Sequence, residues 1–389
     1  MRTTLTKLYT EFTDSEQSSG IALIIATVVS LVIANSVWGS AYTHFWHSYV
    51  GFDFAGLHLK HSVSHWVNDG LMAVFFLLIG LEIEREIYKG ELSDLKNATL
   101  PIFAAIGGML VPALIHFYFN RGTTTQDGFG IPMATDIAFA LGVLALLGDR
   151  VPVTLKIFLT ALAIIDDLGA ILVIALFYVS DFSIVYFSGA MAIFALLLVL
   201  NRMGVKRIWI YLLLGVVMWY CMLESGVHAT LAGVLLAFAI PFGNGDVHSP
   251  SYHLQHVLHK PVAFIIMPIF ALANTGIMLS GDWVSGLTSA NSMGISAGLL
   301  IGKPVGILLM CWLAIKFGIS QLPEEVNWQH LIGASFLGGI GFTMSIFITL
   351  LAFNDAGVVQ ISKISVLFTS LIAGVIGYSV LRMVCKSNS

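Results

Sequence analysis

Four ionisable residues stand in stretches that are otherwise apolar. Asp136 lies in GIPMATDIAFALG, Asp166 and Asp167 in LTALAIIDDLGAILVIALFY, and Lys303 in GLLIGKPVGILLM. A carboxylate can hold a proton or a cation. Placing one at a bilayer centre costs at least about 2.5–3.5 kcal/mol, so such residues mark binding chemistry by default. Asp166 and Asp167 differ by about 100° in helix azimuth, so both can border one cavity. Thr135 adds a hydroxyl beside Asp136. Lys303 lies far from either end of its apolar run, where snorkelling is hard. Its natural partners are a carboxylate or the negative C-terminal ends of broken helices.

The elements that must carry these groups are membrane helices. Of the 389 residues, 57% are hydrophobic and 10% are charged. A soluble domain carries roughly 25% charged residues, and each span needs about 20 apolar ones. The expected fold is an all-α polytopic membrane protein of about twelve transmembrane helices, forming one integral membrane domain over residues 1–389. The spans fall near 19–36, 64–84, 98–119, 129–148, 153–178, 184–201, 208–222, 227–241, 254–275, 292–315, 331–351 and 360–383. The first follows Asp14 and Glu16, whereas a signal peptide begins with a basic region, so it is expected to be retained.

Two of these spans should be interrupted. Pro132 removes a backbone donor just before Thr135 and Asp136. Gly338, Gly339 and Gly341 weaken the eleventh span by roughly 1 kcal/mol each relative to Ala. Broken helices at membrane depth are tolerated only within protein or around water. The breaks fall in the middle spans of two three-span units, about 98–178 and 292–383. One unit begins at an odd span and the other at an even one, so their topologies are inverted. Corresponding breaks in two halves point to a transporter binding site.

Orientation follows from the 18 lysines and arginines. Lys60, Arg121 and Lys363 fall on one side and Lys303 inside a span; all the others fall opposite. That asymmetry places both termini in the cytoplasm. One external loop, His47 to His61, alternates polar and apolar residues around Ala55-Gly56 and reads as a β-hairpin. Its open edges invite pairing with a second chain, which suggests a homodimer.

Five motifs carry a resemblance: PMATDIAFALGVLALLG, LAIIDDLGAI, SGVHATLAG, LLIGKPVGI and GGIGFTMSIFI. Together they closely resemble the bacterial NhaA sodium/proton antiporters, from about Gly20 to Arg382. The resemblance implies interrupted helices that cross near the midplane of the cytoplasmic (inner) membrane. It implies expulsion of Na+ or Li+ in exchange for incoming H+. Asp166 and Asp167 match the acids that hold the transported Na+ and the protons. Asp136, Thr135 and Lys303 match groups at the helix crossing. There Asp136 is expected to offset paired helix N-termini and Lys303 paired C-termini. Glu82, Arg85, Glu86 and His256 match a cytoplasmic region tied to pH response. Glu84, His253 and His259 are grouped with them at a cytoplasmic entrance, and His228 matches a further position associated with pH. The stretch from His248 to Gln255 departs from the family, with neutral or titratable residues where relatives can carry acidic and basic groups.

Other functions fit less well. Intramembrane aspartyl proteases also need two buried acids, but neither Asp166 nor Asp167 has their Tyr-Asp or Gly-x-Gly-Asp setting. A sodium-coupled organic solute symporter of similar architecture is the alternative transporter, and a passive channel would lack stoichiometric coupling. The net charge of −4 argues against nucleic acid as a partner. Cys221, Cys311 and Cys385 show no metal or redox spacing. His253, His256 and His259 drift about 60° per step around a helix, so they would not share one metal. No cofactor is expected, and exchange needs no enzyme chemistry.

Overall fold

The computed structural model describes residues 16–385 apart from 55–56, 94, 180, 247 and 280–282. The termini, with Arg2, Lys7 and Lys386, and the Ala55-Gly56 turn therefore lie outside the described residues. What is described is predominantly helical. Seven helices are long and apolar enough to cross a membrane, and nine if each of two bent pairs counts as one span. This matches a polytopic membrane protein. Three further apolar segments hold shorter helices, Ile137–Ala145, Ile208–Glu224 and Leu231–Ala239.

The chain forms two compact units. The first takes Met1–Ala22, Gly90–Ala170 and Ser280–Ser389. Its main helices are α1 (Leu95–Asn120), α2 (Ile137–Ala145), α3 (Val153–Phe177, whose final turns leave the unit), α4 (Ala290–Lys316), α5 (Trp328–Gly338), α6 (Phe342–Ala352) and α7 (Ala356–Val384). Helices α1 and α4 cross where both carry glycine. A Cβ on Gly107 would lie 2.1 Å from the Gly306 carbonyl oxygen, and one on Gly306 would lie 2.1 Å from that of Gly107. Only hydrogen fits there, so the backbones approach closely, as small residues allow in membranes. That approach sets Lys303 beside Gly108, whose added Cβ would lie 3.7 Å from the lysine Cε.

Lys303 follows a π-helical turn, Gly298–Gly302, and precedes Pro304. Proline cannot donate to the carbonyl four residues back, and a wider turn accommodates the loss. The same offset recurs at Val262–Ile266, Met267 and Pro268.

The second unit takes Leu23–Lys89 and Ile171–Leu279. It holds most of α8 (Glu16–Ala34), which bends by 113° into α9 (Gly39–His47), and α10 (Val63–Tyr88). It also holds α11 (Ile184–Arg202), α12 (Ile208–Glu224), α13 (Leu231–Ala239) and α14 (Pro250–Thr275). Ser30 and Tyr42 both donate to the Leu272 carbonyl, at 2.9 and 2.6 Å, and Asn35 donates to that of Ile277 at 2.8 Å. These bonds tie α8 and α9 to the end of α14.

The expected hairpin is present as two short antiparallel ladders. Strand β1 (Tyr49–Val50) pairs with β4 (His61–Ser62) in the register Tyr49↔Ser62 and Val50↔His61. Inside it, β2 (Asp53–Phe54) pairs with β3 (Leu57–His58) through Asp53↔His58 and Phe54↔Leu57. The Trp66 indole donates to the Val50 carbonyl at 3.0 Å, pinning the hairpin to the start of α10.

Candidate ion-binding site

Both expected breaks occur in the first unit, and they face each other. The first follows a 3-10 segment, Gln126–Met133. Residues 134–136 then leave helical structure, with Ala134 and Asp136 extended, before α2 begins. The second separates α5 from α6, which bend by 44° at Gly339–Gly341. The two join through the backbone, Asp136 N–H donating to the Ile340 carbonyl at 2.7 Å. Ser345 Oγ donates to the Ile131 carbonyl at 2.6 Å, and Phe342 N–H donates to Ser370 Oγ at 3.1 Å. Backbone groups freed by the breaks thus find partners inside protein, as burial requires.

Asp136 caps two helices at once. Its Oδ1 accepts from Phe139 N–H at 2.9 Å at the start of α2. Its Oδ2 accepts from Thr343 N–H at 3.0 Å and from the Thr343 hydroxyl at the start of α6. One carboxylate therefore faces the positive ends of two helix dipoles. Lys303 sits at the opposite kind of end. Its ammonium donates to the Met133 carbonyl, the last of the 3-10 segment, and pairs with Asp166 Oδ2 at 2.7 Å. Thr135 Oγ1 lies 2.8 Å from Asp166 Oδ2 and 2.8 Å from the Gly338 carbonyl that ends α5. Its single hydroxyl proton is shared between two acceptors.

Asp166 and Lys303 are both fully buried, and Asp167 is 2% exposed. Oδ1 of Asp166 has no hydrogen-bond partner among the described residues. The pair is thus held from one side only: Oδ2 takes the lysine and the threonine, while Oδ1 retains its acceptor capacity. A buried carboxylate with free acceptor capacity can take a proton or a small cation. Its lysine partner offsets its charge when neither is present.

The residues expected to respond to pH lie in the second unit and are less concentrated. Glu82, Arg85 and Glu86 occupy the last turns of α10, with Arg85 Nη2 3.1 Å from Glu86 Oε1. His259, rather than His256, reaches Glu82, with Nδ1 at 3.8 Å from Oε1. His256 instead stacks on Tyr252, ring centroids 4.9 Å apart, and His253 is exposed on the first turns of α14. His228, in the turn before α13, hydrogen-bonds the backbone of Tyr178.

Some partners at the breaks were not singled out from sequence: Thr343, Ser370 and the carbonyls of Met133 and Gly338. Only Thr343 had a local signal, a hydroxyl two residues past the Gly338–Gly341 cluster in GGIGFTMS.

Fold and site together define a polytopic membrane protein built around a buried acid–lysine pair at two interrupted helices, the architecture of a secondary transporter. Residues 10–381 match the Na+/H+ antiporter 1 family. The chain is 60% identical to the Na(+)/H(+) antiporter NhaA of Dechloromonas aromatica over 97% of this chain and 96% of that one. It is 57% identical to the Cytophaga hutchinsonii protein of the same name, over 98% and 97% respectively. The NhaA of Vibrio cholerae is 50% identical over 96% and 97%. The chain belongs to the Na+/H+ antiporter 1 family.

Proposed function

We propose that this protein is a secondary antiporter that expels Na+, or Li+, in exchange for incoming H+, using Asp166 and Asp167 as the shared site. The observation that carries the reading is the buried Asp166–Lys303 pair beside the Thr135 hydroxyl. Sodium is a hard cation that favours oxygen ligands. The two carboxylates, the hydroxyl, backbone carbonyls and water supply them. Oδ2 of Asp166 is occupied by the lysine ammonium, so an arriving sodium must displace Lys303 or engage the opposite oxygen. Either way cation and ammonium compete for one charge. The same acids take protons when sodium leaves. If the site changes access only when occupied, exchange follows with no bond made or broken. The protein is a transporter, not an enzyme. The relatives' names give no support to a sodium-coupled solute symporter.

Several finer features belong to the same reading. The fold is a single transporter domain of about twelve spans, with inverted units near 98–178 and 292–383 and the two interrupted helices crossing at the site. The protein sits in the bacterial inner membrane with both termini in the cytoplasm. More than one proton enters per sodium, so the inward-negative potential helps drive sodium out, at about 2.3 kcal/mol per charge per 100 mV. Exchange rises toward alkaline pH, with Glu82, Arg85, Glu86, His228, His253 and His256 as the responsive groups. The deciding experiment is sodium-driven proton movement in proteoliposomes, with and without a protonophore. Solute-dependent sodium uptake, or sodium current with no coupled proton movement, would overturn the reading.

The electrostatics of the breaks supply a stability prediction. Lys303→Ala leaves Asp166 buried without its counter-ion, and breaking such a pair costs about 3–5 kcal/mol. Asp136→Ala removes the cap of two helices, at roughly 1 kcal/mol each. Both variants should melt below wild type in detergent, Lys303→Ala by more. Unchanged melting of both would count against these roles.

The hairpin supports a homodimer joined on the external face. Deleting Tyr49 to Leu59 removes β1 and leaves β4 without its partner strand. The dimer should weaken while each protomer still exchanges ions. An unaltered dimer fraction on native gels would place the contact elsewhere.

A further inference from the structure

The second unit contains a cavity that does not include the buried acids. It measures about 730 Å³ and lies where α10 ends, lined by Glu84, Tyr88, Lys89, Asn201, Phe238 and Phe242 among others. Glu84 forms part of its wall. The residue is 5% exposed, and its Oε2 has no hydrogen-bond partner among the described residues. A buried carboxylate oxygen without a donor is costly unless a ligand supplies one. Aromatic rings line the same cavity, with Tyr88 and Phe242 at 5.1 Å between centroids. Their faces attract cations. Asn201 uses its amide nitrogen on the Ala239 carbonyl at 3.0 Å, which leaves its carbonyl oxygen as a further acceptor. Opposite in sign, the exposed Lys89 caps the end of α10. The cavity thus offers a buried carboxyl group, aromatic faces and an outer cation.

The occupant must carry a positive group toward Glu84 and a negative group toward Lys89. The location narrows it further. Tyr88 is the last residue of a membrane span, and aromatic and basic residues at span ends lie at the level of lipid headgroups. We propose that the cavity binds the headgroup of a phosphatidylethanolamine, with its ammonium on Glu84 among the rings and its phosphate on Lys89. The unpartnered oxygen selects among lipids. A primary ammonium has N–H groups to give it, whereas the quaternary ammonium of phosphatidylcholine has none and can offer only its charge to the rings. The cavity is lined by residues of the second unit and its test reads lipid retention rather than ion flux, so its failure and that of the transport reading are distinguishable.

The test uses the full-length protein in mixed micelles holding equal amounts of phosphatidylethanolamine and phosphatidylcholine, with bound lipid counted by native mass spectrometry. Wild type should retain phosphatidylethanolamine about tenfold over phosphatidylcholine, the value of one charge-assisted hydrogen bond. Glu84→Gln should bring the ratio near one, and Lys89→Ala should reduce retention of both lipids. Soluble glycerophosphoethanolamine, which has the same headgroup without acyl chains, should not compete at equal concentration. Equal retention of the two lipids by wild type would overturn the proposal without any variant having to fold. So would a preference that survives Glu84→Gln. Full competition by the soluble headgroup would show a site for a free amine rather than for a lipid.

Discussion

Asp167→Asn is expected to reduce sodium-driven proton flux in proteoliposomes to the level of empty vesicles. Asparagine keeps the shape of the carboxylate but can neither gain nor lose the proton that exchange requires. Asp166→Asn should abolish flux as well, and the two variants should differ in stability. Asp166 is the partner of Lys303 at 2.7 Å, both groups fully buried. Neutralising it strands an ammonium in the protein interior, a loss of about 3–5 kcal/mol by comparison with other broken buried pairs. Asp167→Asn leaves that pair intact. The expected pattern is therefore two inactive proteins, of which Asp166→Asn melts clearly lower. Normal flux through purified Asp167→Asn protein would remove the acid pair from the transport site. Equal melting of the two variants would instead mean that the Asp166–Lys303 pair contributes no net stability.

The acids were legible in the sequence because lipid makes ionisable groups expensive, so every one retained at depth asks for a reason. The breaks were legible for a related reason. Pro132 and the Gly338–Gly341 cluster each disturb the backbone of an apolar run, and hydrogen bonding must then be restored from elsewhere. Where it is restored was not legible. The bond from Asp136 N–H to the Ile340 carbonyl, and those from Thr343 to Asp136, join residues 204 and 207 positions apart in the chain. Nothing local in either segment fixes that register. The form of the break near 129–148 was not legible either. The segment is apolar enough for a span, yet it holds a 3-10 segment, three non-helical residues and a nine-residue helix. Hydropathy reports the environment of a segment, not whether its backbone is continuous. The same limit applies to the pH-response group. Helical spacing places His253, His256 and His259 near one another, but only the packing of α14 decides that His259 meets Glu82 while His256 stacks on Tyr252.

Exchange should weaken steeply as the cytoplasm acidifies, and the cause can be separated into two parts. The first is competition. If sodium and protons share the proposed carboxylates, then in the pH range where the acids are protonated each competing proton should raise the half-saturating sodium concentration about tenfold per pH unit. Saturating sodium overcomes this, and the maximal rate is unchanged. The second is remote. The exposed His253 and His256 lie on α14, and Arg85 lies with Glu82, Glu84 and Glu86 near the end of α10. Added positive charge would repel incoming sodium and, if it also shifts access at the site, would lower the rate even at saturation. Replacing His253 and His256 by Ala should then move the activation midpoint toward acid and leave maximal exchange at high pH nearly unchanged. His259, 3.8 Å from Glu82, is the more direct ion-pair partner of that glutamate. His259→Ala should shift the midpoint further than either single substitution if charge at this entrance governs the response. The decisive measurement is the pH profile at several saturating sodium concentrations in wild type and variants. Identical profiles throughout would leave competition at Asp166 and Asp167 as the whole of the pH dependence, with the histidines as solvated groups on the first turns of α14.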